Sequence, residues 1–328
     1  MVLQQMKMKD NISKSDVNII FFGTPLFAAE ILRYLFDHKV KVLGIVTQPD
    51  RPKGRSLSPS PSPVKSVAVE LLPHVPLLQP EKASQEAFLE ELRSLEADLF
   101  VVVAYGQILS QKLLGIPRLG CINVHASLLP KFRGAAPIQR AILEGEKETG
   151  VAIQKMVRQL DAGDVIAVSK IPIPEEMTSG ELQEKLCELS KPLLLSVIHS
   201  YKEGIPSAHP QALSLVTYAA KIEPEEGEID WTRPAEKLHN LVRGFSPRPG
   251  AWCWIQSGPE RKRLKILKTK LSPLKGKPGD LLSTQGIVAC GQGALELIEV
   301  QPEGKRPMRA LDWLRGQKNN FRFEIRSN

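Results

Sequence analysis

"VNIIFFGTPLFAAEILRYLFDHKVKVLGIVTQPD", residues 17–50, sets the architecture of the first half of the chain. Residues 17–23 are an apolar run too short for a helix and end at Gly23, so they read as a buried strand. From Leu26 onward Phe27, Ile31 and Leu35 recur at helical spacing. "VKVLGIVTQPD" is a second strand, closed by Pro49 and Asp50. Strand, helix and strand in so short a span make a βαβ unit, which predicts an α/β fold with a parallel, doubly wound sheet.

The pattern continues outward from that unit. "PDRPKGRSLSPSPSPVK", residues 49–65, is dominated by Pro and Ser and reads as a loop at the carboxyl end of the second strand, where open α/β sheets place ligands. Arg51, Lys53, Arg55 and Lys65 make it basic. "SQEAFLEELRSLEA" is an amphipathic helix, "ADLFVVVAYGQILS" a strand ending at Tyr105–Gly106, and "GCINVHASLLP" a strand running into a turn. "TGVAIQKMV" and "LDAGDVIAVSKIPI" add two strands around a turn. Residues 179–204 form a long helix, which Pro192 is expected to kink or split. Prolines and small polar residues mark 204–216 as a linker. After it come short strands with Gly turns and two flanking helices, "PAEKLHNLVRGF" and "ALDWLRGQ", a pattern that predicts a small β-barrel of the OB type. The expected division is a frayed tail over 1–16, an α/β domain over 17–203, the linker, and the barrel over 217–328.

The 328 residues suit two domains, and a hydrophobic content of 42% supplies a core for each. A net charge of +8 favours an anionic partner, nucleic acid or nucleotide first, with small anions also compatible. The four cysteines form no close C-x-x-C pair, which removes zinc-ribbon and thioredoxin readings and predicts reduced thiols in a cytoplasmic protein. "MVLQQMKMKDNISKSD" has no apolar stretch of a signal peptide, and no segment is long and apolar enough to span a membrane.

Chemistry gathers at 120–141. Asn123 and His125 lie two apart on a strand, so they share a face. An amide donor beside an imidazole can stabilise a developing oxyanion, whereas the same pair without a ligand is a satisfied structural feature. "QLDAGDV", residues 159–165, brings Asp161 in a tight turn with Gly163, and a carboxylate there would favour the charged form of His125. Asp164 is open to the same part. In "SLLPKFRG", Ser127 to Pro130 form a turn, and Gly134, Ala135 and Ala136 permit close backbone approach, with Lys131, Arg133 and Arg140 adding charge. "FFGTP" carries one glycine and not the G-x-G-x-x-G of a dinucleotide fold. There is no P-loop motif, no G-x-S-x-G, and no histidine spacing suited to a metal site, so no metal is expected. In "RKRLKILKTK", residues 261–270, Arg261, Lys262 and Lys265 suit a track for an RNA backbone, or a solvated edge strand.

"INVHASLLPKFRGAAPIQ" followed by "LDAGD" resembles the folate-dependent formyltransferases. "FFGTPLFAAEIL", "VTQPDRPKGR", "VVVAYGQIL", "IDWTRPAEKLHNLVRGFSPRPGAW" and "QPEGKRPM" extend the resemblance from about Val17 to near Arg315. It implies a Rossmann-like formyltransferase domain followed by a C-terminal OB-like barrel. It also implies 10-formyltetrahydrofolate as formyl donor, the methionine amine of charged initiator tRNA as acceptor, and a monomer. The family's catalytic Asn, His and Asp fall on Asn123, His125 and Asp161. Its folate-binding turn falls on Ser127, Leu128, Leu129 and Pro130, and Tyr105, Gly106 and Ile108 match a strand end lining the folate pocket. Arg51, Lys53 and Arg55 belong to the loop that approaches the tRNA acceptor end. The competing member of the family acts on an amino sugar nucleotide; the barrel, the basic charge and "QPEGKRPM" weigh against it.

Overall fold

The computed structural model describes residues 16–52, 59–317 and 321–325. They fall into two compact units that interleave in sequence. The first takes its residues from Met1–Pro130, Gly150–Ser169 and Cys187–Leu215, the second from Lys131–Thr149, Lys170–Leu186 and Val216–Asn328.

The chain opens with β1 (Ile19–Gly23), α1 (Leu26–Asp37) and β2 (Val42–Val46). A two-residue ladder joins β3 (Arg51–Pro52) to β4 (Pro59–Ser60). Next come α2 (Pro63–Leu71), β5 (Leu77–Leu78), α3 (Glu86–Ser94), β6 (Leu99–Val103), α4 (Gln111–Leu114) and β7 (Cys121–His125). They are followed by β8 (Arg133–Gly134), α5 (Pro137–Glu144), β9 (Glu148–Lys155), β10 (Val165–Pro172) and α6 (Ser179–Ser200). The main sheet has the order β10-β9-β7-β6-β1-β2-β5. Strands β7 through β5 pair in parallel, and β9 runs antiparallel to β7. The chain winds outward from β1 to β5, then crosses back to place β6 beside β1, which makes a topological switch point at the carboxyl ends of those two strands. Every residue of β1 and β6 is buried, as expected of parallel strands covered on both faces. Gly23 serves this packing. A Cβ on it would stand 2.7 Å from Ala28 Cβ and 2.8 Å from the Phe21 ring, so the glycine lets α1 turn close against β1.

Two expectations from the sequence need correction. The Pro/Ser stretch 49–65 is not loop throughout, because α2 begins inside it. Ser62 caps the helix by accepting from Lys65 N at 3.0 Å, and Pro63 occupies the first helical position, where its missing N–H costs nothing. Pro192 does not split the long helix: α6 runs through it. Leu186 and Leu194 on either side of the proline are fully buried, and that burial outweighs the roughly 3 kcal/mol a mid-helix proline costs.

The second unit holds a curled antiparallel sheet. In chain order it adds β11 (Tyr218–Ala219), α7 (Ala235–Phe245), β12 (Ala251–Ser257), β13 (Glu260–Ser272) and β14 (Ile287–Ala289). It continues with β15 (Ala294–Pro302), β16 (Met308–Arg309), α8 (Ala310–Arg315) and β17 (Phe321–Phe323). The order is β14-β15-β13-β12-β17, with β16 on β15, and β11 pairs separately with β8. The β13–β15 register slips between Ile266 and Thr269, an irregularity of the kind that increases twist and helps a sheet curl into a half-barrel. Its core joins Leu238, Val242 and Phe245 of α7 to Cys253, Ile255, Leu264, Ile266, Val300 and Trp313. Among the described residues, no helix is long and apolar enough to cross a membrane.

Candidate active site

Strand β7 presents Asn123 and His125 on one face, as the alternation requires. Its antiparallel neighbour β9 sets Gln154 directly opposite Asn123. The chain then turns at 156–164 and brings Asp161 back to this face. Asn123 Nδ2 donates to Asp161 Oδ1 at 3.4 Å, and His125 Nδ1 stands 3.7 Å from Asp161 Oδ2. His125 keeps 6% of its side-chain surface and Asp161 11%, so the contact lies in a poorly solvated place where charges are weakly screened. At 3.7 Å, Nδ1 and Oδ2 are too far apart for a hydrogen bond. Gln154 Nε2 donates to the same carboxylate, at 2.9 Å on Oδ1.

The turn that carries Asp161 is forced. Asp161 has φ of 47°, the left-handed region, which costs an ordinary residue about 1–2 kcal/mol and which Asp tolerates better than most. Gly163 is required by close approach: a Cβ on it would lie 1.7 Å from the carbonyl oxygen of Lys155. Gln211 Nε2 donates to the carbonyls of Asp161 at 2.8 Å and Gly163 at 2.7 Å. Asp164, the alternative to Asp161, contributes its main-chain carbonyl, which accepts from Lys155 N.

The elements around this group lie where the sequence places them, with differences in what they expose. Ser127 is fully buried, Leu129 is buried, and Leu128 and Pro130 are half-buried, directly after β7. Tyr105 turns its ring into the core, edge-on to Phe22 at 5.5 Å, and burial pushes its phenol up to about 12. Its carbonyl instead marks the strand end, accepting from Thr24 Oγ1 at 2.8 Å and Gln48 Nε2 at 3.2 Å. Gly106 is exposed, and Ile108 is 91% exposed, a large apolar side chain in water at the carboxyl edge of the sheet.

The sequence pattern of the formyl transferase family matches residues 17–198, and that of the formyl transferase C-terminal domain matches 221–318. The chain belongs to the formyl transferase family. A protein of Protochlamydia amoebophila named methionyl-tRNA formyltransferase is 51% identical over 314 residues, which is 94% of this chain and 98% of that one. Among solved structures, the sugar 3N-formyl transferase WlaRD, in the presence of dTDP and 5-N-formyl-THF, superposes with a TM-score of 0.64 at 17% identity, covering 89% of this chain and all of that one. Methionyl-tRNA formyltransferase from Clostridium thermocellum superposes with a TM-score of 0.55 at 16% identity, over 77% and 93% of the two chains. Both structural likenesses bear on fold.

The basic residues of this formyl transferase are more committed than the sequence suggests. Lys53 and Arg55 lie outside the described residues. Arg51 pairs with Glu81 at 2.8 Å. Lys65 reaches Asp50 at 2.7 Å and Gln79 at 2.9 Å. The hydrogen bond from the Lys65 ammonium, and after it that from Gln79 Nε2, hold the Asp50 carboxyl below its usual range, so Lys65 anchors the base of the loop. Lys131 pairs with Glu146, and Arg140 forms a bidentate pair with Glu226. Arg133 is buried at 2% exposure. Arg261 pairs with Glu324 and lies over the Trp254 ring at 4.2 Å. Lys262 pairs with Glu260, and Lys265 donates to the Pro249 carbonyl.

Sequence reasoning missed Gln154, Gln211, and the stacking of Arg261 on Trp254 and of Arg263 on Trp252. Gln154 carried a signal, being an amide inside the apolar alternation of β9, the same anomaly that singled out Asn123. Gln211 carried none, because its partners lie about fifty residues away in a segment that reads as linker.

Proposed function

We infer that this chain transfers the formyl group of 10-formyltetrahydrofolate to the amino group of methionine on initiator tRNA, for translation initiation in the cytoplasm. The reading assigns formyl transfer to 17–203, a linker to 204–216 and tRNA binding to 217–328, in a monomer. The observation that carries it is the meeting of Asn123, His125 and Asp161 at the carboxyl end of β7, in a chain 51% identical to a named methionyl-tRNA formyltransferase.

The chemistry follows from those groups. The methionine nitrogen bonds to the formyl carbon, the carbonyl oxygen takes the electron pair, and the carbon–N10 bond then breaks. Asn123 has two N–H groups and spends one on Asp161, leaving the other for the oxyanion. Protonated His125 supplies a second donor, and each donor of this kind is worth on the order of 10²–10³ in rate. Asp161 opposes the desolvation cost of that positive charge. The Asp161 carboxylate routes a proton, through water, from the attacking amine to the leaving nitrogen, while His125 keeps its own. The amine needs no strong base, since α-amines titrate near about 7.7–8.0. Ser127, Leu128, Leu129, Pro130 and the strand end at Tyr105, Gly106 and Ile108 form the folate side. There the exposed Ile108 suits an aromatic ring that would cover it.

The test is formylation of charged initiator tRNA by the purified protein with formylated folate, alongside an amino sugar nucleotide as acceptor. Formyl-methionine on tRNA with no reaction on the sugar is the expected result. The reverse result would move the protein to the sugar enzymes.

A further inference from the structure

Asp161 is held by more than its two neighbours on β7. Its carboxylate has two oxygens with different duties: Oδ1 takes Gln154 Nε2 at 2.9 Å and Asn123 Nδ2 at 3.4 Å, while Oδ2 faces His125. A carboxylate rotates readily about its last torsion, which is broad and nearly two-fold, so something must keep Oδ2 turned to the imidazole. Gln154 does this with the shorter bond. It is itself fixed, being 2% exposed, with Oε1 accepting from Gln211 Nε2 at 3.4 Å. Gln211 Nε2 has acceptors as its partners, so its amide points one way: toward Gln154 and toward the carbonyls of Asp161 and Gly163.

We propose that Gln154 and Gln211 are positioning residues for formyl transfer, Gln154 fixing which oxygen of Asp161 faces His125 and Gln211 locking the left-handed turn that carries it. The inference rests on the catalytic part proposed for Asp161. Neither amide touches substrate in this scheme. Their neutrality matters: a lysine or arginine on Oδ1 would neutralise the carboxylate, while an amide orients it and leaves its charge to act on His125. A buried strand position gains nothing from an amide unless the amide has partners, since an apolar side chain fills the space without a desolvation cost. The amide at 154 finds its partners in the carboxylate of Asp161 and the clamp of Gln211.

The experiment compares Gln154→Leu, Gln154→Glu and Gln211→Leu with wild type and with Asp161→Asn. Turnover, KM for formylated folate, KM for charged tRNA and melting temperature are measured for each. Gln154→Leu removes a bond to a charged group, so kcat should fall about tenfold or more. Both KM values and the melting temperature should stay near wild type, a split that a loss of folding does not produce. Gln211→Leu should behave alike, with a smaller loss, because it acts one step further out. Gln154→Glu supplies the readout peculiar to orientation. When protonated the new carboxyl still donates to Oδ1; when ionised it repels it. Asp161, and through it His125, are the titratable groups gathered at this amide. The kcat of Gln154→Glu relative to wild type should therefore rise as pH is lowered, while the ratio for Gln154→Leu stays flat. Wild-type kcat in Gln154→Leu, a loss that appears equally in KM, or a pH-independent ratio for Gln154→Glu would each overturn the proposal. Full turnover in Asp161→Asn would instead remove the catalytic reading of Asp161, a distinct result.

Discussion

Asn123 and His125 were legible because they break a rule of strands: polar side chains alternate into an otherwise buried apolar run, and burial without partners is costly. The structure shows that each reaches Asp161. If both are oxyanion donors, Asn123→Ala and His125→Ala should each cost about 10²-fold or more in kcat with folate affinity kept. Steady-state rates and donor titration check this, and near-normal turnover in either variant would falsify that role. Ile108 makes a separate prediction from exposure. Ile108→Lys should raise KM for the folate donor and leave kcat and tRNA KM near wild type, since an exposed side chain at the sheet edge can act there through contact with the donor. An unchanged donor KM would remove it from the pocket. Gln154 shows where residue-level reading stopped. The anomaly was visible in the alternation, but its meaning lies in the β7–β9 register, which places it opposite Asn123 and which no single strand specifies.

At the scale of elements, the βαβ order, the amphipathic helices and the curled C-terminal sheet were legible from apolar period and glycine turns. Helix α2 was not, because Pro and Ser were weighed as loop formers when Ser62–Pro63 is a helix start. For hairpin β12–β13 the strands and the charge were legible, and the part played by the tryptophans was not. Its register puts Trp254 opposite Arg263, and its outer face is a stack: Arg261 over Trp254, Trp254 edge-on to Trp252 at 5.6 Å, Arg263 over Trp252 at 3.8 Å. Pairing with Glu324 and Glu260 lowers what Arg261 and Lys262 can offer an anion. Yet stacking uses the face of a guanidinium and leaves its N–H edge for phosphate. Each phosphate contact on RNA contributes about 0.7–0.9 to the slope of log affinity against log salt. Replacing Arg261, Lys262 and Lys265 together by Ala should therefore shallow that slope by about two units and raise tRNA KM. Donor KM should not move. Equal slopes in wild type and triple variant would hand backbone tracking to Arg51, Lys53 and Arg55.

For the whole molecule, the four cysteines supply a probe of how ligands brace the fold. All are free and buried, two in each unit when Cys121 and Cys187 are set against Cys253 and Cys290. Burial pushes the thiols of Cys121 and Cys290 up to about 12 and Cys187 to about 11, and raises Cys253 as well. Because the thiolate is the reactive form, the folded protein at pH 8 should label at none of them within minutes, and at all four in denaturant. Slow labelling under native conditions then counts openings of the structure around each thiol. A ligand that binds only the closed form slows that labelling, by a factor set by its concentration over its dissociation constant. Cys121 begins β7, the strand that ends at His125, so saturating formylated folate should slow labelling at Cys121 about 100-fold when present at 100 times its dissociation constant. Cys253 and Cys290 lie in the core of the curled sheet and should be unaffected by the donor, while charged tRNA should slow both pairs. Peptide-resolved alkylation with mass spectrometry reads each site separately. Donor protection at Cys253 and Cys290 equal to that at Cys121 would mean that the two units open as one and that their division is geometric only. No protection at Cys121 would place the donor away from β7, against the site built on Asn123 and His125.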